Sequence, residues 1–340
     1  MGKKKDSLEL YFHIPFCIKK CDYCDFLSGP ATRAGQEAYI YALLREMKAA
    51  SAIEKRTVDT VFIGGGTPSV PECGIMEKLL QGIGKNFQLA ADAEVTIEAN
   101  PGTLTPEKLA LYRRYGINRI SIGLQSPENQ ELRALGRIHN YQQFLESYHM
   151  AREAGFSNIN IDLMFAIPGQ SYEGWIQNLR TVAKLGPEHI SAYSLIIEEG
   201  TPFSARKLDL PDEDTEYRMY EDVAAVLGKY GYYQYEISNY AKKDRNCRHN
   251  EGYWQRKDYL GLGLGAASLV GRERFTNTSD MSEYLENSGN LEKIRTDRET
   301  LTREDEMGEF MFLGLRMTKG VSKKDFQEYF GTSIEKIYGE

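Results

Sequence analysis

Cysteine is scarce in this chain and odd in number: Cys17, Cys21, Cys24, Cys73 and Cys247 make five in 340 residues. Three crowd together and two lie far apart, which argues against a disulfide framework and suits a reducing cytosol. Long apolar runs are missing, and none reaches the length of a membrane span. No apolar signal region follows the first residues, and Lys3, Lys4 and Lys5 read as a solvated tail whose one other use is to touch an anionic membrane surface. The expectation is a cytoplasmic protein, peripheral to a membrane at most. Positive charge is not in excess either: the net charge is -7 and the pI is near 5.5, so no overall field holds a nucleic acid backbone. Internal repeats and low-complexity tracts are also absent. What remains is an ordinary globular composition, 41% hydrophobic and 27% charged.

A chain of this length supports one barrel-sized domain and a smaller one. Six strand-like runs stand out, at 8–13, 60–63, 94–99, 119–124, 158–165 and 189–195. Stretches with helical periodicity separate them, for example 38–47, 75–87, 106–115, 141–154 and 175–185. That alternation predicts an α/β fold, a parallel sheet with crossover helices. Six strands are too few for the closed eight-stranded form, so residues 6–235 are expected to build a partial (β/α)6 TIM-like barrel with a lateral opening. After Pro211 the alternation stops. A helix over 214–231 leads into YYQYEISNYA, read as a strand, then HNEGYW and a glycine-rich strand, GLGLGAASL. From Thr302 the pattern is helical. Residues 236–340 are expected to form a C-terminal accessory domain, α+β and helical, shortened at Glu340 where an amphipathic pattern breaks off.

The chemistry-bearing residues fall at the C-terminal ends of the strand runs, where parallel α/β folds build their sites. HIPFCIKKCDYCDF follows the first run and spaces Cys17, Cys21 and Cys24 as C-x3-C-x2-C. A 4Fe-4S cubane held by three thiolates keeps one iron open to a ligand. Two other readings of the spacing exist. The cysteines could share one helix face as small core residues, which Pro15, Phe16, Lys19 and Lys20 fit poorly, or form a tetrahedral zinc site with His13 or a carboxylate. VFIGGGTPS ends the second run; its glycines let the backbone approach a ligand, and Thr67 adds a hydroxyl before Pro68. In EANP, Glu98 is placed to accept ribose hydroxyls or, more plainly, to cap a helix. Gln125 in GLQS, Arg137 in LGRIHN and Asp162 in NIDLMFAIPGQS add an amide, a guanidinium and a carboxylate, a set able to bind a zwitterion with hydroxyls.

Taken in order, CIKKCDYC, GGGTPS, EANP, GLQS, LGRIHN and DLMFAIPGQ resemble the radical S-adenosylmethionine superfamily, in its coproporphyrinogen-dehydrogenase-like branch, over almost the whole chain. The resemblance implies a 4Fe-4S cluster on Cys17, Cys21 and Cys24, with S-adenosylmethionine chelating the fourth iron through its amino and carboxylate groups. It places Gly65, Gly66 and Thr67 at the amino end and Glu98 at the ribose. Gln125, Arg137 and Asp162 surround the remainder, with Tyr11 and Tyr23 alongside. It also implies an electron donor for the cluster and release of a 5'-deoxyadenosyl radical, the cofactor supplying reactivity while the protein orients it and excludes water.

Within this branch two activities compete. The oxygen-independent coproporphyrinogen III dehydrogenase, a porphyrin-biosynthesis enzyme, decarboxylates porphyrinogen propionates. It carries a further cysteine one residue after the third, where this chain has Phe26, and a long segment ahead of its cysteines, where this chain has sixteen residues before Cys17. CRHNEGYW instead resembles the HNxxYW signature of the branch's heme chaperones. By that resemblance His249, Asn250, Tyr253 and Trp254 contact heme, imidazole as axial ligand and aromatic rings against the porphyrin. A hydrogen-bonded core histidine with packing neighbours is the plainer reading of the same residues. Cys247 reads as a buried structural thiol and Cys73 as an inert one. The expectation is a heme chaperone that passes heme to an apoprotein acceptor such as a respiratory heme enzyme, with no nucleic acid partner and with dimerisation open. No catalytic residue is assigned, and porphyrinogen oxidation is the alternative.

Overall fold

The computed structural model describes residues 7–339; the Lys3–Lys5 tail and Glu340 lie outside them. All six expected strands form. β1 (Ser7–Ile14), β2 (Thr57–Gly65), β3 (Leu89–Ala99), β4 (Arg119–Gln125), β5 (Ile159–Phe165) and β6 (His189–Ser194) pair in parallel in sequence order. Each obeys a period of two. Val61, Ile63, Val95, Ile97, Ile120, Ile122, Ile159, Ile161 and Ile190 face outward into the buried layer shared with the crossover helices. The alternate positions, among them Thr60, Glu94, Glu98, Ser121, Asn160, Asp162 and His189, carry polar groups into the lumen, where they meet one another.

The sheet is longer than the sequence predicts. β7 (Tyr233–Gln234) and β8 (Asn239–Ala241) extend it antiparallel beyond β6. At the other edge β9 (Tyr259–Leu262) pairs in parallel with β1, followed by antiparallel β10 (Ala267–Val270), β11 (Glu273–Asn277) and β12 (Arg295–Thr300). Much of the stretch after residue 235 therefore continues the core sheet. GLGLGAASL, read as one strand, is two, because Gly263 and Gly265 adopt positive φ between β9 and β10. YYQYEISNYA likewise splits into β7 and β8.

The same stretch supplies a helix that packs against inner-face residues of β1, β2 and β3. The helix Arg248–Trp254 plugs the N-terminal end of the lumen, and the Glu94 carboxylate caps it, accepting the backbone N–H groups of Arg248 and His249 at 3.1 and 3.2 Å. Gly252 lets this helix approach β1: a methyl group there would fall 1.9 Å from the Glu9 carboxylate. Helices Arg303–Gly314, Lys323–Phe330 and Ile334–Tyr338 end the chain, packed around Met307, Phe326 and Phe330.

Candidate functional site

The C-terminal end of the lumen holds a pocket of about 130 Å³. Cys17, Cys21, Cys24 and Tyr23 line it from the loop after β1, Gly65 and Gly66 from the end of β2 and the turn after it, Glu98 from β3, Gln125 from β4, Arg137 from the loop between the helices Asn129–Ala134 and Tyr141–Glu153, and Asp162 from β5. The cysteine loop is fixed at its base: Cys17 N–H donates to Gly29 O at 2.9 Å and Gly29 N–H to Pro15 O at 3.0 Å. It is seated on the turn after β2, where Gly66 N–H reaches Ile14 O at 2.9 Å and Thr67 N–H reaches Phe16 O at 2.6 Å. The glycine run exists for these approaches. A methyl on Gly64 would lie 2.8 Å from Glu98 Oε2, on Gly65 2.5 Å from the His13 ring and on Gly66 2.7 Å from the Phe16 carbonyl oxygen. Gly65 also holds φ at +105°, which a side chain rarely tolerates.

Thr67 stands just behind the wall, its hydroxyl 3.4 Å from Cys17 Sγ and accepting Asn100 Nδ2–H at 2.7 Å. Asn100 is the residue that sequence reasoning missed, although it stands two places after Glu98 in EANP. Its Oδ1 accepts Arg137 Nη2–H at 2.6 Å, and the same nitrogen donates to Gly123 O at 2.6 Å while Nη1 points at Cys21 Sγ, 3.5 Å away. Asn100 thus ties the threonine behind one cysteine to the arginine beside another. Tyr11 is placed elsewhere than expected. It does not line this pocket; its hydroxyl donates to His13 Nδ1 at 3.0 Å while His13 Nε2–H donates to Leu27 O at 2.8 Å, and its ring faces a separate apolar cavity.

Two carboxyl groups share the pocket, and Glu98 is the one with few donors. Burial, then the charge of Asp162, pushes Glu98 up to about 8; its hydrogen bond from Gly65 N–H, 3.0 Å, offsets little of this. Burial also raises Asp162, held partly in check by hydrogen bonds from Ser121 Oγ at 2.9 Å and Asn160 Nδ2 at 2.7 Å. Burial opposes the charge of Arg137, yet Tyr23 and Cys21 keep its guanidinium protonated. Burial pushes the Cys24 thiol up, so iron rather than bulk pH is what would deprotonate it.

The residues present fit a 4Fe-4S cluster with an organic ligand on its open iron. Three thiols face one pocket with a glycine cradle, a guanidinium, the sparsely supplied carboxyl of Glu98 and the hydrogen-bonded carboxyl of Asp162. Among the described residues no three His, Cys, Asp or Glu side chains converge as ligands of a single metal ion, whereas a cubane takes each thiolate on a different iron.

The expected heme residues are divided. His249 is buried and offers no free ring nitrogen in this structure: Nδ1 is hydrogen-bonded to Thr60 Oγ1 at 2.7 Å and Nε2 to Tyr253 Oη at 2.9 Å, with Phe62 stacked on the ring. The expected axial imidazole is corrected to the plainer reading, a hydrogen-bonded core histidine, because Thr60 of the barrel and Tyr253 of its own helix meet the two ring nitrogens. Burial, then Arg119, holds His249 down at about 3. Asn250 follows it, half-buried, while Tyr253 and Trp254 line the apolar cavity that Tyr11 faces. Cys247 is the buried thiol expected, pushed up to about 12 by burial.

Residues 11–182 match the Radical SAM superfamily and residues 301–340 match the HemN C-terminal domain. The heme chaperone HemW of Lactococcus lactis subsp. lactis (strain IL1403) is 39% identical over 334 residues, covering 97% of this chain and 87% of that protein. Heme chaperone HemW of Bacillus subtilis (strain 168) is 37% identical, with coverages of 96% and 88%, and that of Escherichia coli (strain K12) 39%, with 96% and 87%. Among solved structures, coproporphyrinogen III oxidase (HemN) from Escherichia coli superposes with a TM-score of 0.88 at 24% identity, over 99% of this chain and 82% of that one. At that identity the likeness is one of fold.

Proposed function

Because the chain belongs to the radical SAM superfamily and, within it, to the heme chaperone HemW family, we propose that it binds heme and hands it to an apoprotein acceptor. The observation that carries this is identity of 37 to 39% to three HemW proteins along nearly the whole chain, where the HemN likeness is of fold alone. Cys17, Cys21 and Cys24 would hold a 4Fe-4S cluster. Gly65 and Gly66 would receive the amino end of S-adenosylmethionine, Glu98 its ribose, and Arg137, Gln125 and Asp162 its remaining polar groups. When bound, cluster and S-adenosylmethionine supply one-electron chemistry at a sulfonium. The chain's own residues orient and enclose: Asn100 fixes Arg137 against the cysteine loop, and Glu98 near pH 7 keeps a proton that it can give to or withhold from a ligand hydroxyl. An electron donor for the cluster and a respiratory heme enzyme as acceptor complete the proposal. No helix among the described residues is long and apolar enough to cross a membrane, so contact with a membrane-bound acceptor would be peripheral.

Anaerobic reconstitution of the cluster followed by heme titration and a coproporphyrinogen III decarboxylation assay on one sample tests this. Stoichiometric heme uptake and transfer to an apo-cytochrome without decarboxylation is the expected result. Turnover to protoporphyrinogen IX without specific heme uptake would make the protein a dehydrogenase.

A further inference from the structure

The sequence pattern for heme points at His249, but the space beside that motif lies on its other side. Tyr253, Trp254 and Tyr11 form one wall of a cavity of about 480 Å³. Tyr259 of β9, in contact with Tyr253, and Phe312 of the helix Arg303–Gly314 continue the lining, and Arg274 of β11 stands at the same cavity. The lining is almost wholly apolar. Tyr253 and Tyr259 meet edge to face, 4.7 Å between centroids, so flat faces are offered from more than one direction. Phe312 is 61% exposed, a large apolar side chain at the cavity with no core role. Trp254 Nε1 is buried without a hydrogen-bond partner.

Charge at the rim narrows the class of occupant. Arg274 Nη2 pairs with Glu309 at 2.6 Å, and Arg256 Nε pairs with the same carboxylate at 2.7 Å. Arg256 and Arg272 also share Glu306, at 3.3 and 3.5 Å. Three arginines divide these two carboxylates, and Arg274 is the one of them that lines the aromatic cavity.

We infer that this cavity is the heme seat: the macrocycle lies against Tyr253, Trp254, Tyr259 and Phe312, one propionate meets Arg274, and His249 supports Tyr253 from behind instead of ligating iron. This rests on the heme-chaperone reading and adds to it the walls contributed by β9, β11 and the C-terminal helix. The seat is also joined to the cluster loop. Tyr11, in its wall, donates to His13, and His13 donates to the Leu27 carbonyl of that loop.

The test uses the full chain with its cluster reconstituted, titrated with hemin, with iron-free protoporphyrin IX and with protoporphyrin IX dimethyl ester. Phe312→Glu is expected to weaken hemin and protoporphyrin binding about tenfold or more, by placing a charge against the ring. Leu315→Glu, equally exposed at 61% at the C-cap of the same helix and absent from the cavity lining, is expected to leave both within about twofold. Arg274→Gln should reduce free-acid affinity to that of the ester and leave the ester unchanged. His249→Ala should weaken hemin and iron-free porphyrin alike, since its role is to hold Tyr253. Cavity variants that bind both porphyrins normally, with hemin binding alone lost in His249→Ala, would overturn the assignment and return the iron to the imidazole. Normal porphyrin binding with impaired transfer to apo-cytochrome would also overturn it, making the cavity a docking site for the acceptor. If the unmodified protein takes up no hemin, the chaperone reading itself fails, a result distinct from failure of the location.

Discussion

Glu94 and Glu98 stand four residues apart on the inner face of β3, at opposite ends of one lumen, and their surroundings differ in kind. Glu94 accepts two backbone N–H groups of the plug helix, lies 3.6 Å from Cys247 Sγ and stands near the buried Arg119. Glu98 accepts one N–H, from Gly65, and faces a second carboxylate across a pocket. A carboxylate supplied with donors and a counter-charge holds a fold together; one left short of both is placed for a ligand. Residue type and strand position do not distinguish the two. Their neighbours do, and those come from segments some 150 residues apart in the case of Glu94.

The sharpest way to break the comparison is to make the same change at both ends. Glu94→Gln replaces one of the two acceptor oxygens of the helix cap by an NH2 group and removes a charge near Arg119, and a buried N–H left unmet costs about 1 to 3 kcal/mol. Urea unfolding should show that loss, while cluster content per folded molecule stays unchanged. Glu98→Gln should act oppositely on stability and strongly on binding. Above pH 8, where the Glu98 carboxyl is ionised, S-adenosylmethionine affinity should fall about tenfold to a hundredfold, as lost charged hydrogen bonds of about 1.5 to 3 kcal/mol imply, measured by titration of the reconstituted protein. At pH 8 the ligand-free variant should be the more stable protein, because a buried charge has been removed. Equal destabilisation by both substitutions would erase the distinction.

A smaller effect separates the ends by pH. Glu98, near 8, and Glu46, raised to about 7 mainly by burial, keep protons in the folded chain that the unfolded chain sheds above about 4.5. Stability therefore falls as pH rises from about 4.5 to 8. His249 and His139, both held at about 3 chiefly by burial, stay neutral in the folded chain while the unfolded chain takes up protons below about 6.5. Stability from these groups falls as pH drops from about 6.5 toward 3. Thermal unfolding of the ligand-free protein should be most resistant between about pH 5 and 6, and Glu98→Gln should flatten the alkaline arm alone.

The pocket end was legible in the sequence because its signals are local. All but the Arg137 motif end or directly follow a strand, and the topology gathers strand ends without further information, so Cys17, Cys21, Cys24, Glu98, Gln125 and Asp162 arrive together, with Arg137 brought in by the helix after β4. The plug end was not, since nothing in HNEGYW announces that Thr60, Glu94 and Glu9 surround it. Gly252, whose absent side chain makes room for Glu9, reads in sequence only as a helix breaker. Tyr11 failed for a related reason: period two places it on the inner face of β1, but not at which of two adjoining spaces.

The smallest predicted effect tests whether the plug is held from inside. Arg248, the first residue of its helix, makes two kinds of contact. Its backbone N–H donates to buried Glu94, and its guanidinium reaches the surface to Asp92, at 3.4 Å from Oδ2 and 2.7 Å from the carbonyl oxygen. Asp92 is 82% exposed in its side chain, so the ion pair is solvated and screened. Asp92→Asn should therefore change unfolding free energy by less than about 0.5 kcal/mol, well below Glu94→Gln two positions along the same strand. The backbone carbonyl contact survives the substitution, which keeps the guanidinium in place and isolates the charge. A loss near that of Glu94→Gln would mean that the helix is anchored from solvent, and that the lumen-facing network is a consequence of its docking and not the cause.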